Sequence, residues 1–275
     1  MSIKPEFAAV RPNRRGPLSS IYSGNARIAV IRGLLATRTS SWAIVASGFF
    51  EPVFYLLAMG VGLGSFIGDV EVAGQPVSYA SFIAPALLAV SAMNGAVYDS
   101  TWNVFFKLRF AKLYQTMLTT RLGPLDVALG EVTYALLRGV AYATGFLIVM
   151  QVMGLNRSWT AILALPAVVL IAFAFASVGM AITSYMKTFQ QMDWINFVML
   201  PMFLFSATFY PITVYPEAIQ WLIRALPLWH AVELVRGLTL GLTDAMTWVH
   251  VGYFVAMIAI GLVFTTKRLR ALFQD

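Results

Sequence analysis

The chain has 275 residues, 59% of them hydrophobic and 11% charged, with a net charge of +7 and no cysteine. A soluble domain carries roughly 25% charged residues, so this chain cannot cover an aqueous surface, and lipid must be part of its solvent. The lack of cysteine excludes disulfides, thiolate metal sites and cysteine nucleophiles; no aromatic-interleaved basic groove accompanies the positive charge, which reads as membrane topology and not as nucleic-acid binding.

Residues 1–20 are polar and basic, with no apolar run and no cleavage site after one. They read as a disordered cytosolic arm, not a secretory signal, and residues 21–275 as one transmembrane domain. Tyr22–Arg38 sets Ile28, Ile31 and Leu35 at helical spacing, with Asn25, Arg27 and Arg38 elsewhere. That pattern predicts an interfacial helix on the cytoplasmic leaflet. About 20 helical residues cross a hydrocarbon core, and six segments qualify: Trp42–Leu63, Tyr79–Tyr98, Ala128–Val152, Thr160–Tyr185, Ile195–Tyr215 and Trp248–Thr266. Between the last two, Pro216–Gly241 is apolar but interrupted by Pro227. It reads as short re-entrant helices, allowed only where protein covers their backbone. The fold class expected is therefore all-α: a polytopic integral membrane protein of six transmembrane helices, with an N-terminal interfacial helix and short outer helices.

Lys and Arg set the orientation. Fifteen lie before segment one, after segments two and four, and in the tail, against Arg157, Arg224 and Arg236 on the other side. This bias places both termini in the cytoplasm.

Few residues can carry chemistry. There is no G-x-x-x-x-G-K-[ST] loop, no G-x-S-x-G elbow and no H-E-x-x-H pair, so neither nucleotide binding of that type nor those hydrolytic chemistries is supported. His230 and Glu233 stand one helical turn apart, as a metal pair would, or as a hydrogen-bonded cap. Glu51 lies within segment one beside Pro52; a carboxylate at such a kink either bonds a neighbouring helix or serves transport. Glu131 and Arg138, two turns apart in segment three, are too distant for a direct pair, so each should bond another helix or, for Glu131, reach the cytoplasmic interface. Asp99 closes segment two. Gly60 and Gly64 permit close helix packing, and Pro85, Pro166 and Pro201 kink their segments or open backbone groups to a ligand. Thr101–Pro124 is longer than a connector needs; its Phe105, Phe106, Leu108, Phe110, Leu113 and Tyr114 suggest a helix with an apolar face, resting on membrane or protein or docking a cytoplasmic partner.

Four ordered blocks then resemble the ABC-2 type export permeases, in particular the subgroup with nodulation-factor and daunorubicin-type exporters. They are FEPVFYLLAMGVGLG (Phe50–Gly64), YASFIAPALLAVSAMNGAVYDSTW (Tyr79–Trp102), YQTMLTTRLGPLDVALGE (Tyr114–Glu131) and LPMFLFSATFYPITVYPEAIQWLIRALPLWHAVELVRGLTLG (Leu200–Gly241). The chain departs from the family pattern at Pro85-Ala86, at Ser206-Ala207 and at Thr120-Arg121, where the proline comes only at Pro124. The resemblance implies a bacterial inner-membrane half-transporter that pairs with a second copy or a related permease, and with two ATP-binding cassette subunits. ATP and magnesium would sit on those subunits, with no cofactor in this chain. Coupling contacts would fall at Arg38, Tyr114, Met117, Leu118 and Arg121. The outer closure would involve Pro211, Pro227, His230 and Arg236. An amphipathic substrate (a drug-like lipophile, a glycolipid or a lipid-linked oligosaccharide) would pass Phe50, Glu51, Phe54, Tyr55, Phe82, Met93, Phe203 and Phe209. Two rivals remain from the residues alone: a membrane-embedded lipid- or glycan-modifying enzyme using His230, Glu233 and Arg236, and a non-transporting scaffold.

Overall fold

The structure is a computed structural model that describes residues 22, 24–37, 50, 52–120 and 122–273. In chain order these form α1 (Ala26–Thr37), α2 (Pro52–Ile67), a hairpin of β1 (Asp69–Val72) and β2 (Gln75–Ser78), α3 (Tyr79–Phe110), and α4 (Leu113–Leu118). There follow α5 (Pro124–Val152), α6 (Trp159–Tyr185), α7 (Asp193–Phe205), α8 (Glu217–Ala225), α9 (Pro227–Leu240) and α10 (Ala245–Phe273). Four of these helices, α3, α5, α6 and α10, are long and apolar enough to cross a membrane, and the protein is a helical integral membrane protein.

Local chemistry sets the element boundaries. Ala73 and Gly74 both have positive φ, the conformation of a two-residue hairpin turn whose twist matches its strands, and Val72 pairs with Gln75 across it. Ser78 caps α3 by accepting a hydrogen bond from the Ser81 amide at 3.3 Å. Pro124 occupies the first turn of α5, where its missing N–H costs nothing. Gly241, left-handed at φ 78°, ends α9, a conformation that glycine adopts without strain.

The bundle is built around α3, whose apolar window is 78% enclosed by protein, against 24% for α5 and 22% for α10. Those two present most of their surface outward, as lipid-facing helices do. Close approach is made by small residues: Gly179 of α6 lies against Ser100 of α3, and Gly261 of α10 against the Ser177 backbone of α6. Without a hydrophobic driving force in lipid, such backbone proximity supplies the packing that holds helices together. The core joins α3, α5, α6, α9 and α10 around Phe82, Met93, Phe146, Ile171 and Phe254.

Several sequence boundaries are corrected. Segment two does not end at Tyr98: the helix runs on through π-helical turns at Asp99–Asn103 and Phe106–Phe110. Thr101–Phe110, expected as part of a separate helix with an apolar face, is thus the end of a 32-residue helix. No Gly or Pro stands between Tyr98 and Lys112, where the chain turns with φ 47°. Segment five stops at Phe205, short of Tyr215, because Ala207 takes φ 56° beyond it. Segment six extends to Phe273. Segment one is described only from its second half, where α2 carries π-helical turns over Leu56–Leu63; residues 42–49 and Glu51 lie outside the described residues, as does the arm 1–20. The hairpin was not expected at all. Helices are present over the stretches Tyr22–Arg38 and Pro216–Gly241, as α1 and as α8 and α9.

Candidate functional site

Three places converge functional side chains. The first is the end of the bundle that carries α1 and α4. Here α1 crosses α5 at backbone distance: a Cβ built on Gly130 would stand 2.3 Å from the Ala29 Cβ, and one on Gly33 2.7 Å from the Tyr134 ring. Ile28, Ile31 and Leu35 of α1 are exposed, so the apolar stripe faces away from the protein, while Ala29 and Gly33 face it. Asp126, buried, receives the Gly123 amide at 2.8 Å and the Asn25 amide at 3.0 Å. One carboxylate thereby anchors the starts of both α5 and α1, each with favourable helix-terminus polarity. Five residues on, the buried Glu131 accepts Arg32 Nη2 of α1 at 2.6 Å and Lys107 Nζ of α3 at 2.5 Å. Of the two candidate roles read from sequence, Glu131 therefore bonds other helices. Arg109 donates through Nε and Nη2 to the Met186 carbonyl at 3.1 and 2.7 Å, closing the C-terminal end of α6.

Tyr114 and Met117 of α4 are buried in this end. Burial, and then the Glu131 carboxylate, push the Tyr114 phenol well above its usual range, with Arg32 opposing. Between α1 and α4 lies an apolar cavity of about 480 Å³ lined by Asn25, Ile28, Arg32, Leu113, Met117 and Leu122, among others. Leu118 lies on α4; Arg38 and Arg121 lie outside the described residues.

The second place is a cleft of about 340 Å³ between α3 and α7, lined by Asn94, Tyr98, Thr101, Trp102, Asn196 and Phe203 with apolar neighbours. Its polar groups are neutral: two carboxamides, a hydroxyl, a phenol and an indole. Phe203 continues into an aromatic string, its ring 5.1 Å from Phe209 and 6.4 Å from Tyr55. Phe50 and Phe54 stack at 5.8 Å and are exposed. Phe82 and Met93 do not join them; both are buried in the core of the bundle.

The third place is the opposite end, around α9. Arg236 is buried and fully engaged: Nε donates to the Phe82 carbonyl at 3.3 Å, Nη2 to the Ala207 carbonyl at 3.0 Å and Nη1 to Glu233 at 2.6 Å. Its guanidinium lies 4.0 Å from the Phe82 ring centroid. It ties α9, α3 and the chain beyond α7 into one knot. His230 meets not Glu233 but His250 of α10, Nδ1 to Nδ1 at 2.7 Å, with Tyr253 stacked on it at 4.1 Å. The metal-pair reading is thereby corrected; among the described residues no three His, Cys, Asp or Glu converge to hold a metal ion. Pro227 opens α9 and Pro211 precedes the short turn Ile212–Val214. Arg138 lies on α5, its backbone in the helix.

The sequence reading missed Arg32, Lys107 and Asp126 as partners and the polar lining of the cleft. Asp126 was visible as an acidic residue three positions after Gly123, a capping pattern. The carboxamides carried no such signal.

Compared with known proteins, the chain matches the family model described as ABC-2 type transporter over residues 25–240. It is 31% identical to Nodulation protein J of Rhizobium leguminosarum bv. viciae over 241 residues, 87% of this chain and 91% of that protein. It is 27% identical to Nodulation protein J of Rhizobium meliloti (strain 1021), over 87% of this chain and 90% of that one. Nodulation protein J of Sinorhizobium fredii is 31% identical over 74% of this chain and 77% of its own length.

Proposed function

The chain belongs to the ABC-2 type transporter family, and from that premise we propose that it is the membrane subunit of an ATP-driven exporter, working as a dimer with two ATP-binding subunits. The observation that carries the reading is the end bearing α1 and α4. There the half-buried α4, the outward-facing apolar side of α1 and an apolar cavity form a face built on fixed charges, while the sequence holds no phosphate-binding loop of its own. That face would receive the ATP-binding subunits, which would supply nucleotide and magnesium. The excess of Lys and Arg in the sequence would make it the cytoplasmic face in this reading, with both termini on that side of the membrane. With the apolar segments that contain α2 and α7 counted beside the four long helices, the spans would be six.

The substrate is amphipathic in this reading. The cleft between α3 and α7 offers neutral hydrogen-bonding groups together with the apolar Met199, Leu200 and Phe203. A molecule with an uncharged polar head and an apolar body, such as a glycolipid or a drug-like lipophile, fits both. α8, α9 and the Arg236 knot would close the exit. The test is reconstitution with its ATP-binding subunit in lipid vesicles and measurement of leaflet exchange of a fluorescent glycolipid and of an uncharged fluorescent drug-like lipophile. ATP-dependent movement of either probe supports the reading; movement of neither, with ATP hydrolysis intact, removes export of amphiphiles from it.

A further inference from the structure

Glu131 holds two cations from two other elements, Arg32 on α1 and Lys107 on the extended end of α3. The closest approach of α1 to α5 is made by the small residues Ala29 and Gly33, which bury little apolar area, and Ile28, Ile31 and Leu35 are exposed. A helix of 12 residues is marginal without tertiary support. The Asp126 cap fixes where α1 starts; the ion pairs fix its rotation and bring in α3. α4 lies within the same cluster through Tyr114, whose buried hydroxyl has no hydrogen-bond partner among the described residues and feels the Glu131 charge. A buried carboxylate between two cations holds both in place, because losing it leaves two positive charges side by side without compensation.

We propose that Glu131 is a positioning residue that fastens α1 and the end of α3 to α5, so that a displacement at the docking face moves these helices as one body. The inference rests on the reading of the chain as the membrane half of an ATP-driven pump. It assigns the transmission of movement to a side chain that touches neither substrate nor nucleotide. Severing Glu131 would let α1 slide on α5 while the spans stay still.

The test uses the chain in complex with its ATP-binding subunit in lipid nanodiscs. The chain contains no cysteine, so paired spin labels are specific: Ile31→Cys with Leu137→Cys across α1 and α5, and Leu137→Cys with Phe197→Cys across α5 and α7, all at exposed positions. Distances are read without nucleotide and with ATP trapped by vanadate. In the otherwise native chain the first distance should hold within about 2 Å while the second changes by more than that. With Glu131→Gln the first distance should change on trapping and the second should lose its response, with ATP hydrolysis of the complex kept within about twofold. Lys107→Gln leaves Arg32 paired and guards against a folding defect; it should reduce the second change while sparing the first distance. If Glu131→Gln and Lys107→Gln both reproduce the native responses, the inference is overturned. If the native complex shows no ATP-driven change across α5 and α7, the pump reading itself fails, whatever Glu131 does.

Discussion

Gly261→Ala is the sharpest probe of how the helices are held. A Cβ at this position in α10 would stand 2.6 Å from the Ser177 carbonyl carbon and 2.8 Å from the Val178 nitrogen, both backbone atoms of α6. Carbon contacts are comfortable at about 3.5–4.0 Å, so α10 would have to retreat by roughly 1 Å, with no side chain able to rotate out of the way. Overpacking of this kind costs about 1–3 kcal/mol. Against it stands the gain of about 1 kcal/mol from replacing glycine by alanine within a helix. Gly252, on the same helix, has nothing within 4 Å of its would-be Cβ, so Gly252→Ala takes the gain without the strain. The two variants should therefore differ by about 1–3 kcal/mol, read as an apparent melting temperature in detergent lower by at least about 3 °C for Gly261→Ala. Equal or reversed melting temperatures would refute the claim that α6 and α10 meet backbone to backbone.

Three other outcomes follow from the geometry. Arg236→Lys keeps the charge but cannot reach Phe82, Ala207 and Glu233 together; it should lose about 1.5–3 kcal/mol, measured by thermal unfolding, and a native melting curve would contradict the knot. Tyr114→Phe removes a buried hydroxyl without a partner among the described residues and should be as stable as the native chain or more so at neutral pH. Because the folded phenol is raised, the unfolded chain sheds this proton first as pH climbs through about 10, so native stability falls there; the Phe variant should fall less steeply in a pH series of melting curves. For orientation, Gln75→Cys in the hairpin should react with an impermeant maleimide on intact cells, and Thr119→Cys only after permeabilisation; the reverse pattern would invert the topology.

Much of the fold was legible because lipid imposes a coarse signal. A run of twenty apolar residues has one main structural solution, so α3, α5, α6 and α10 were each located to within a few residues at one end. What escaped was decided by single backbone conformations. Ala73 and Gly74 at positive φ make a hairpin from a stretch too short to register as strands beside long helices. The run from Thr101 to Phe110 read as a helix separate from segment two because Lys107 and Arg109 broke its hydropathy, although nothing broke the helix there; both cations are matched, one by Glu131 and one by the Met186 carbonyl. The site was legible in part. Tyr114 stood out through the apolar spacing of its segment, Met117 through the family resemblance, and Arg236 as a polar neighbour of His230 and Glu233 in the outer block. Pairings across the chain were not readable: Glu131 with Arg32 spans 99 positions, and His230 with His250 joins two helices, distances over which no periodicity carries information.

The arrangement also gives a division of labour along the bundle. Charge-paired, backbone-anchored contacts occupy the end with α1 and α4, neutral polar groups line the cleft, and the buried Arg236 knot closes the other end. Under the proposed function, force enters at the first, substrate at the second, and release is controlled at the third.

Under the proposed function this chain draws its energy from separate nucleotide-binding subunits seated on the α1 and α4 face. Affinity isolation of the native chain from membranes, followed by nucleotide hydrolysis measured on the product and on the chain stripped of bound proteins, tests this directly. Hydrolysis should accompany a bound ATP-binding subunit, disappear when that subunit is removed, and be lost from the isolate when Thr116 and Thr119 on the exposed side of α4 are changed to Glu. Hydrolysis by the stripped chain alone, or isolation of a functional membrane protein that never retains such a subunit, would contradict it.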